Sequence, residues 1–339
     1  RRDKMKKIIC KEFGPVDNLV WEDTEDHEPL PNEVVVDIKA AALNFPDYLI
    51  VQGLYQFQPP LPFTPGNEGA GIIKKIGSEV TNHKVGDRVS FMSAIGAFAE
   101  EMVLDQNLVF KMQDDMSFEV ASSYQLAYGT SYHALVQRGN LSKDDEVLVL
   151  GGSGGVGLAA IDIAKALGAR VVAAVSSQEK AQICSDYGAD DIVLYGSSKL
   201  EKEQQKTFTS ELKAKSIKGG FDLIYDPIGD CFAEPSFRSI GWGGRYLVIG
   251  FAAGEIPKLP LNLTLLKGAS IVGVFWGTFT ALEPETNKNN IKKLNQMVAD
   301  GKIKPLISQT IPMKYAISAI NLIGNRGVTG KVVLVNDEE

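Results

Sequence analysis

Cysteine and histidine are scarce in this chain, whose 339 residues include three of each. Cys10, Cys184 and Cys231 lie too far apart in sequence for a disulfide framework or for a zinc cluster of the C-x-x-C type. We therefore expect a reducing compartment. The chain begins with Arg1 instead of methionine and its first residues are basic, which is consistent with trimming after a targeting segment. The cytoplasm and the mitochondrial matrix stay open as alternatives.

Long apolar runs and an excess of positive charge are also missing. No run approaches the roughly 18 to 20 apolar residues that a membrane-spanning helix needs. The chain has 35 Lys and Arg against 42 Asp and Glu, which gives a formal net charge of -7 and a pI of about 5.2. No overall positive field would attract nucleic acid or an anionic membrane. We therefore expect a soluble protein without a nucleic-acid partner.

Two kinds of sequence pattern follow one another along the chain. From Glu146 to about Leu265, short β-branched runs alternate with helical patterns, which predicts an α/β domain with a doubly wound parallel sheet. Residues 1–125 show strand-like runs interrupted by Gly and Pro, which is typical of an antiparallel, barrel-like domain. Because strand and helix patterns continue to the C-terminus, we predict that it goes back to complete the first domain. The predicted domains are therefore 1–125 with 267–339, and 126–266 as an insertion.

Three further helical segments are predicted in the second half of the chain. The charge-rich stretch 197–218 is interpreted as a solvated helix and loop. Nearer the C-terminus, we predict helices over about 290–301 and 316–323, followed by the strand KVVLV.

The strongest local motif is a glycine-rich turn between a strand and a helix. The strand EVLVLG leads into G-x-G-x-x-G spacing, followed at once by the helical run LAAIDIAKALG. This order predicts a dinucleotide-binding unit, with the pyrophosphate at the helix N-terminus. We assign Gly152 to the tight turn, Gly154 to close approach by the pyrophosphate and Gly157 to packing of helix against strand. The predicted contact residues are Gly152, Ser153, Gly154, Gly155, Val156 and Gly157.

The end of the next strand indicates which dinucleotide is bound. NAD-selective sites place Asp or Glu about 20 residues after the turn, where it binds the ribose 2′-hydroxyl. Here the strand ends in Val175, Ser176 and Ser177, and Lys180 follows one turn later. A carboxylate would repel a 2′-phosphate, whereas hydroxyl and ammonium groups bind it. We therefore predict NADPH as the cofactor, with a solvated helix residue as the alternative role of Lys180.

Several longer segments resemble the medium-chain dehydrogenase/reductase superfamily, and specifically its zinc-independent quinone oxidoreductase branch. They include LNFPDYLIVQGLYQ, LPFTPGNEGAGIIKKIGSEVTNHKVGDRV, AYGTSYHAL, GFAAGEIPKLPLNLTLLKGASIVGVFWG and GVTGKVVL. The resemblance extends over nearly the whole chain. It implies a GroES-like β-barrel catalytic domain built from both termini and a Rossmann domain that binds NADPH.

The resemblance also implies that no zinc is bound. Zinc-dependent relatives have Cys in the segment that matches 44–47 and His in a G-H-E segment, which here contains Asn67. No cysteine lies between Cys10 and Cys184. His27, His83 and His133 have no ligand spacing, and we interpret them as structural or surface residues.

Relatives contact the nicotinamide end of the cofactor through positions that match Asn44, Asp47 and Tyr55. Asn44 and Asp47 are alternatively turn-stabilising residues beside Pro46. Tyr55 matches a catalytic tyrosine of related thioester reductases. The other cofactor positions implied by the resemblance are Thr130, Tyr195 beside the 2′-phosphate, Gly229, Gly250, Phe251, Phe275, Trp276 and Arg326. Phe275 and Trp276 are alternatively core residues, and Arg326 is alternatively solvated.

These residues predict NADPH-dependent hydride transfer to a quinone or an α,β-unsaturated carbonyl, without a metal. Such acceptors need no zinc, because the incoming charge delocalises onto a distant oxygen. One alternative is reduction of an enoyl thioester of the acyl-CoA type, and another is a non-enzymatic NADPH-binding or structural protein. Family precedent and the apolar strand ASIVGVF suggest a homodimer.

Overall fold

The computed structural model describes residues 4–325 and 330–336. Its strands are β1 (Met5–Ile9), β2 (Val20–Thr24), β3 (Glu33–Ala42), β4 (Glu68–Ile76), β5 (Arg88–Met92), β6 (Glu101–Asp105), β7 (Val109–Lys111), β8 (Glu146–Leu150), β9 (Arg170–Val175), β10 (Asp191–Leu194), β11 (Phe221–Asp226), β12 (Ile240–Val248), β13 (Ser270–Gly273), β14 (Ile307–Pro312) and β15 (Lys331–Val335). Its helices are α1 (Phe45–Ile50), α2 (Phe118–Ser123), α3 (Gln125–Tyr132), α4 (Gly155–Ala166), α5 (Gln178–Asp186), α6 (Lys202–Lys215), α7 (Ala233–Phe237), α8 (Asn262–Lys267), α9 (Trp276–Leu282), α10 (Pro284–Ala299) and α11 (Ala316–Gly324). A π-helical segment, His133–Arg138, continues α3.

The chain forms two compact units, one of which contains both of its ends. Unit 1 comprises Arg1–Leu126 and Pro305–Glu339, and unit 2 comprises Ala127–Lys304. The first segment of unit 1 ends at Leu126, one residue from the predicted end at 125. The chain returns to unit 1 at Pro305, later than the predicted residue 267. The reason is that β13 extends the parallel sheet of unit 2, pairing Ser270 with Arg245 and Gly273 with Val248.

Unit 1 is built around β3, which reads EVVVDIKAAA. The strand order is β14-β15-β3-β4-β5-β7, and β6 also pairs with β3. Val34, Val36 and Ile38 alternate along β3 and point into one hydrophobic core, as the two-residue period of a strand requires. β15 pairs antiparallel with the end of β3, where Val333 lies opposite Ala42. The C-terminal strand thus completes the first unit, as the sequence predicted.

Unit 2 contains a six-stranded parallel sheet in the order β10-β9-β8-β11-β12-β13. Every residue of β8 is buried, as expected of a strand covered by helices on both faces. The strand order reverses between β8 and β11, and open α/β sheets bind ligands in the crevice outside the carboxyl ends of the strands at such a point. The doubly wound sheet predicted from the sequence is therefore present.

The charge-rich stretch 197–218 is less solvated than the sequence suggested. It contains α6, whose Phe208 and Leu212 are buried in the core of unit 2. These two residues are four positions apart and so lie on one helix face, with the lysines and glutamates on the others. The high charge of the segment concealed this apolar stripe.

Candidate active site and cofactor site

Asn44 and Asp47 begin helix α1 in unit 1. The Asn44 backbone N–H donates to Asp47 Oδ2 at 2.8 Å, and the Asp47 N–H donates to the Asn44 carbonyl at 3.0 Å. Pro46 occupies the first turn, where its missing N–H costs nothing. Asp47 therefore does serve the turn-stabilising role considered from the sequence. The side chain of Asn44 is used differently.

The Asn44 side chain lies at the centre of a buried polar group in unit 1. Its Nδ2 donates to Asn67 Oδ1 at 2.9 Å and to Glu68 Oε1 at 3.1 Å. Its Oδ1 accepts a hydrogen bond from Lys331 Nζ, which also lies 3.4 Å from Glu68 Oε1. We call Asn44, Asp47, Asn67, Glu68 and Lys331 the Asn44 cluster. Sequence reasoning did not identify Glu68 or Lys331 as site residues, because their partners are far away along the chain.

Asp47 is almost completely removed from water, with 3 % of its surface exposed. Burial raises its pKa to about 7. The Asn44 N–H and the positive charge of Lys331 oppose this rise in the pKa, and the charge of Glu68 adds to it. The Asn44 cluster thus contains a carboxyl group that gains or loses a proton near neutral pH.

Tyr55 lies on the surface in the segment that follows α1. Its side chain is 37 % exposed, and no hydrogen bond to its hydroxyl occurs within residues 4–325 and 330–336. Its neighbours Leu54 and Phe57 are exposed as well, and no charged residue occurs between 51 and 65. The phenol is therefore available to donate to a ligand in apolar surroundings.

The glycine turn of unit 2 joins β8 to α4, as predicted, but the roles within it differ from the assignment. The positive φ of the turn, +59°, is at Gly151 and not at Gly152. A Cβ on Gly152 would instead lie 3.0 Å from Ile161 and 3.2 Å from Cys184, so that position is limited by packing. A Cβ on Gly157 would lie 2.4 Å from the Gly151 carbonyl oxygen, so the start of α4 packs closely against the turn.

The space in front of α4 is open. Gly154 precedes the first turn of this twelve-residue helix, and a Cβ on it would make only an ordinary contact, at 3.5 Å, with Gly151. A Cβ on Gly155 would have no atom within 4 Å. The first N–H groups of a helix have no intrahelical acceptor and carry the positive end of its dipole. This end of α4 can therefore bind an anionic group such as a pyrophosphate.

Lys180 turns back towards the end of β9. Its Nζ donates to Ser176 Oγ at 3.0 Å, and its backbone N–H donates to Ser177 Oγ, which caps α5. The exposed ammonium and hydroxyl are thus held side by side at the position where NAD-selective sites have a carboxylate. Lys180 therefore makes a side-chain hydrogen bond that a purely solvated lysine would not make.

Tyr195 follows β10, and its N–H donates to the Val175 carbonyl at the end of β9. Its ring packs against Phe232 with 4.6 Å between ring centroids and against Phe208 with 5.9 Å. Burial raises the pKa of the Tyr195 hydroxyl to about 12. The ring is thus part of an aromatic group in unit 2, a role that the sequence did not suggest.

Buried Asp226 shapes the loop after β11. Its Oδ1 accepts the N–H groups of Ile228 at 2.9 Å and Gly229 at 2.8 Å, and its Oδ2 accepts the Tyr246 hydroxyl. Gly229 has a φ of +64°, and a Cβ there would lie 3.0 Å from the half-exposed Phe251 ring. These contacts fix the backbone of Ile228 and Gly229 just beyond the carboxyl end of β11.

The remaining predicted cofactor residues lie in different surroundings. Trp276 is buried against Gly129, the neighbour of Thr130 on α3, whereas Phe275 is largely exposed. The alternative interpretation as a core residue therefore agrees with the burial of Trp276 but not with the exposure of Phe275. Gly250 lies just beyond β12, and Arg326 lies outside the described residues.

Within the described ranges, no group of three or more His, Cys, Asp or Glu side chains is arranged to hold a metal ion. His133 stacks on Phe279 with 3.7 Å between ring centroids, and burial lowers its pKa. Across the same ranges, none of the helices combines the length and the apolar composition required to cross a bilayer.

Fold and site together define a dinucleotide-dependent dehydrogenase or reductase of the medium-chain type. The protein-family model described as alcohol dehydrogenase GroES-like domain matches residues 30–114 of this chain. A second family model, described as zinc-binding dehydrogenase, matches residues 155–296. Quinone oxidoreductase-like protein 2 homolog of Nematostella vectensis is 34 % identical over 98 % of this chain and 89 % of its own length. Human quinone oxidoreductase is 29 % identical over 98 % of both chains.

A solved structure is similar over the same extent. The Escherichia coli quinone oxidoreductase complexed with NADPH superimposes with a TM-score of 0.85 at 28 % identity, over 98 % of this chain and all of that chain. The chain belongs to the quinone oxidoreductase family of medium-chain dehydrogenases/reductases. It is therefore an oxidoreductase with a GroES-like domain and a Rossmann-type parallel sheet.

Proposed function

We propose that this protein is an NADPH-dependent reductase that transfers hydride to a quinone or to an α,β-unsaturated carbonyl compound. The observation that carries the proposal is the contact between Lys180 and Ser176 at the end of β9. A hydroxyl and an ammonium suit a 2′-phosphate, and the carboxylate that would suit a 2′-hydroxyl is missing there. The NADPH complex of the Escherichia coli relative supports the same cofactor.

The rest of unit 2 fits a dinucleotide. The open N-terminus of α4 would receive the pyrophosphate, and Gly229, Gly250 and Phe251 lie at the carboxyl ends of the strands, where the crevice of such a sheet forms. When bound, NADPH supplies the hydride. The protein contributes binding, orientation and the exclusion of water.

The residues of unit 1 favour an acceptor that needs no Lewis acid. Positions 44–47 and 67, where zinc-dependent relatives have ligands, are Asn, Phe, Pro, Asp and Asn in this chain. Quinones and enones spread the incoming charge onto a conjugated oxygen, which a hydrogen-bond donor or water can stabilise. Asn44 and Asp47 are proposed to contact the nicotinamide end of the cofactor.

The exposed hydroxyl of Tyr55 supports a second candidate, reduction of an enoyl thioester. Protonation of carbon beside a thioester is slow without a positioned acid, whereas the oxyanion from a quinone takes a proton from water rapidly. We expect Tyr55→Phe to lower enoyl-CoA reduction by about 10²- to 10⁴-fold and quinone reduction by little. The measurement is NADPH oxidation with a panel of quinones, enones and enoyl-CoA thioesters, with the exposed Tyr315→Phe as control.

Each outcome of this experiment distinguishes between the proposed functions and between the possible roles of Tyr55. Equal loss for quinones and thioesters would mean that Tyr55 positions substrate or cofactor and is not an acid. Turnover of thioesters alone would favour the second candidate. If no acceptor in the panel is reduced, both proposed acceptor classes are wrong, and the alternative of a protein that only binds NADPH gains support.

We further infer that the protein is a homodimer. Strand β13 forms one edge of the parallel sheet and pairs only with β12 among the described strands. Its sequence, SIVG, contains neither the charge nor the proline that usually protects an edge. The same edge of a second copy could pair with it across a two-fold axis.

A further inference from the structure

Lys331 belongs to the Asn44 cluster although it is far from the other members in sequence, because the pairing of β15 with β3 brings it there. Lys331 is the first residue of β15, and its side chain is 12 % exposed. Its ammonium bonds the amide oxygen of Asn44, which is 287 positions away in the chain. We propose that Lys331 is a positioning residue for hydride transfer, which fixes the orientation of the Asn44 amide and supplies the positive charge of the Asn44 cluster. This inference rests on the proposed contact of Asn44 and Asp47 with the cofactor.

The hydrogen bonds of Asn44 permit one orientation of its amide. An ammonium group can only donate, so the oxygen of the amide must face Lys331. Both hydrogens of Nδ2 then point to the acceptors Asn67 Oδ1 and Glu68 Oε1. A reversed amide would place its NH2 group against the ammonium and its oxygen against two acceptors. Asn44 therefore has only a lone pair of Oδ1 left, and it can meet the cofactor only as an acceptor.

The ammonium group of Lys331 lies closer to Asn44 than to Glu68. Its Nζ is in direct hydrogen-bond contact with Asn44 Oδ1, whereas its separation from Glu68 Oε1 is 3.4 Å. Glu68 Oε2 is held separately by the backbone N–H of Leu126 at 3.1 Å. Lys331 is also the ion-pair partner of the buried Glu68, so its charge stabilises the fold in addition to orienting the Asn44 amide, and the test has to separate the two roles.

Lys331 also acts on Asp47. The charged groups that influence Asp47 are Glu68, on β4, and Lys331, on β15. The positive charge of Lys331 lowers the pKa of Asp47 and so opposes the effect of burial. Removing that charge should move the Asp47 titration to higher pH. This consequence does not depend on the identity of the substrate.

The test uses the whole protein and three substitutions of Lys331. Lys331→Met and Lys331→Gln remove the charge at similar length, and Lys331→Arg keeps a group that only donates. The exposed Lys84→Met is the control for loss of one positive charge. With a quinone acceptor, we expect kcat/KM of the Met and Gln variants to fall up to about 100-fold, the effect of a small misplacement of reacting groups. We expect the Arg variant to recover most of this loss, and the NADPH dissociation constants to stay within about threefold of the unmutated value.

Infrared titration of the carboxyl groups in the protein without cofactor gives a readout independent of activity. The Asp47 band is identified by its loss in Asp47→Asn, and its midpoint should move to higher pH in the Met and Gln variants but not in Lys331→Arg or Lys84→Met. An unchanged midpoint in the Met and Gln variants would overturn the proposal. It would also be overturned if Lys331→Arg lost activity as severely as Lys331→Met. If Lys331→Met does not fold, the Gln and Arg variants decide by the same criteria. If the midpoint moves but no acceptor is reduced by the unmutated protein, the proposed function fails while the electrostatic role of Lys331 stands.

Discussion

Asp47 couples the protonation of the site to the stability of the fold. Its pKa is raised from 3.8 to about 7, so the folded protein holds this proton more tightly than the unfolded chain does. The contribution of Asp47 to stability is therefore fully present below the ordinary carboxyl pKa and is lost as the pH rises through about 7. A shift of this size corresponds to about 4 kcal/mol.

We expect Asp47→Asn to remove this pH dependence. The amide oxygen can still accept the Asn44 N–H, but it carries no charge to bury. Relative to the unmutated protein, the free energy of unfolding of the variant should therefore improve by up to about 4 kcal/mol between pH 4 and pH 8. Urea denaturation at intervals of pH measures the difference. A difference that stays constant with pH would show that Asp47 does not titrate as described.

Lys180 is the residue that we propose sets the preference between the two nicotinamide dinucleotides. Its ammonium lies beside Ser176 and can bond a 2′-phosphate, which NADH does not have. We expect Lys180→Ala to weaken NADPH binding by about 1–3 kcal/mol, the range for hydrogen bonds to a charged group. NADH binding should barely change. Fluorescence titration measures both, and Lys202→Ala, which removes an exposed ammonium from α6, controls for net charge. Equal weakening of both cofactors would contradict the assignment of Ser176 and Lys180 to the 2′-phosphate.

At the scale of elements, the connection from β8 to α4 depends on contacts that only glycine permits. A Cβ on Gly157 would collide with the backbone of Gly151, whereas a Cβ on Gly155 would meet nothing. We expect Gly157→Ala to destabilise the protein by about 1–3 kcal/mol, as overpacking usually does, and Gly155→Ala to have little effect on stability. Urea denaturation compares the two. If both variants are equally stable, the helix is not held as closely to the turn as the structure shows.

The sequence predicts elements well where one local pattern determines them. The strand, turn and helix around 146–167 follow from hydrophobic runs and glycine spacing, and α11 follows from its apolar periodicity. Helix α10 starts at Pro284, before the predicted residue 290, because its first turn is polar and only the proline marks its beginning. The contact between Asn44 and Lys331 cannot be inferred locally, since β15 must first pair with β3 to bring the two together.

At the scale of the whole molecule, unit 1 is discontinuous in sequence, because unit 2 is inserted between its two segments. The sequence predicted this arrangement because strand patterns reappear at the C-terminus, and the pairing of β15 with β3 agrees. It placed the return to unit 1 at residue 267, whereas the chain returns at Pro305. The run ASIVGVF suits an edge strand of either sheet, and only its pairing with β12 assigns β13 to unit 2.

The edge of the sheet at β13 is accompanied by exposed apolar residues. On α8, which precedes β13, Leu265 is 78 % exposed and Leu266 is 62 % exposed, and Trp242, on the neighbouring strand β12, is also largely exposed. Large exposed apolar side chains close to an unprotected strand edge are typical of an interface between protein chains. They support the proposed homodimer and indicate the surface that a second copy would cover.

We expect Leu266→Glu to convert the proposed homodimer to a monomer, because a carboxylate buried without a partner in each half of a symmetric interface is costly. Leu30→Glu is the matched control, since Leu30 is also 62 % exposed but belongs to unit 1. Light scattering coupled to size-exclusion chromatography should give about twice the 36.8 kDa chain mass for the unmutated protein and for Leu30→Glu. It should give the chain mass for Leu266→Glu, with the circular dichroism spectrum unchanged. A monomeric unmutated protein would contradict the homodimer, and a dimer that survives Leu266→Glu would place the interface on another surface.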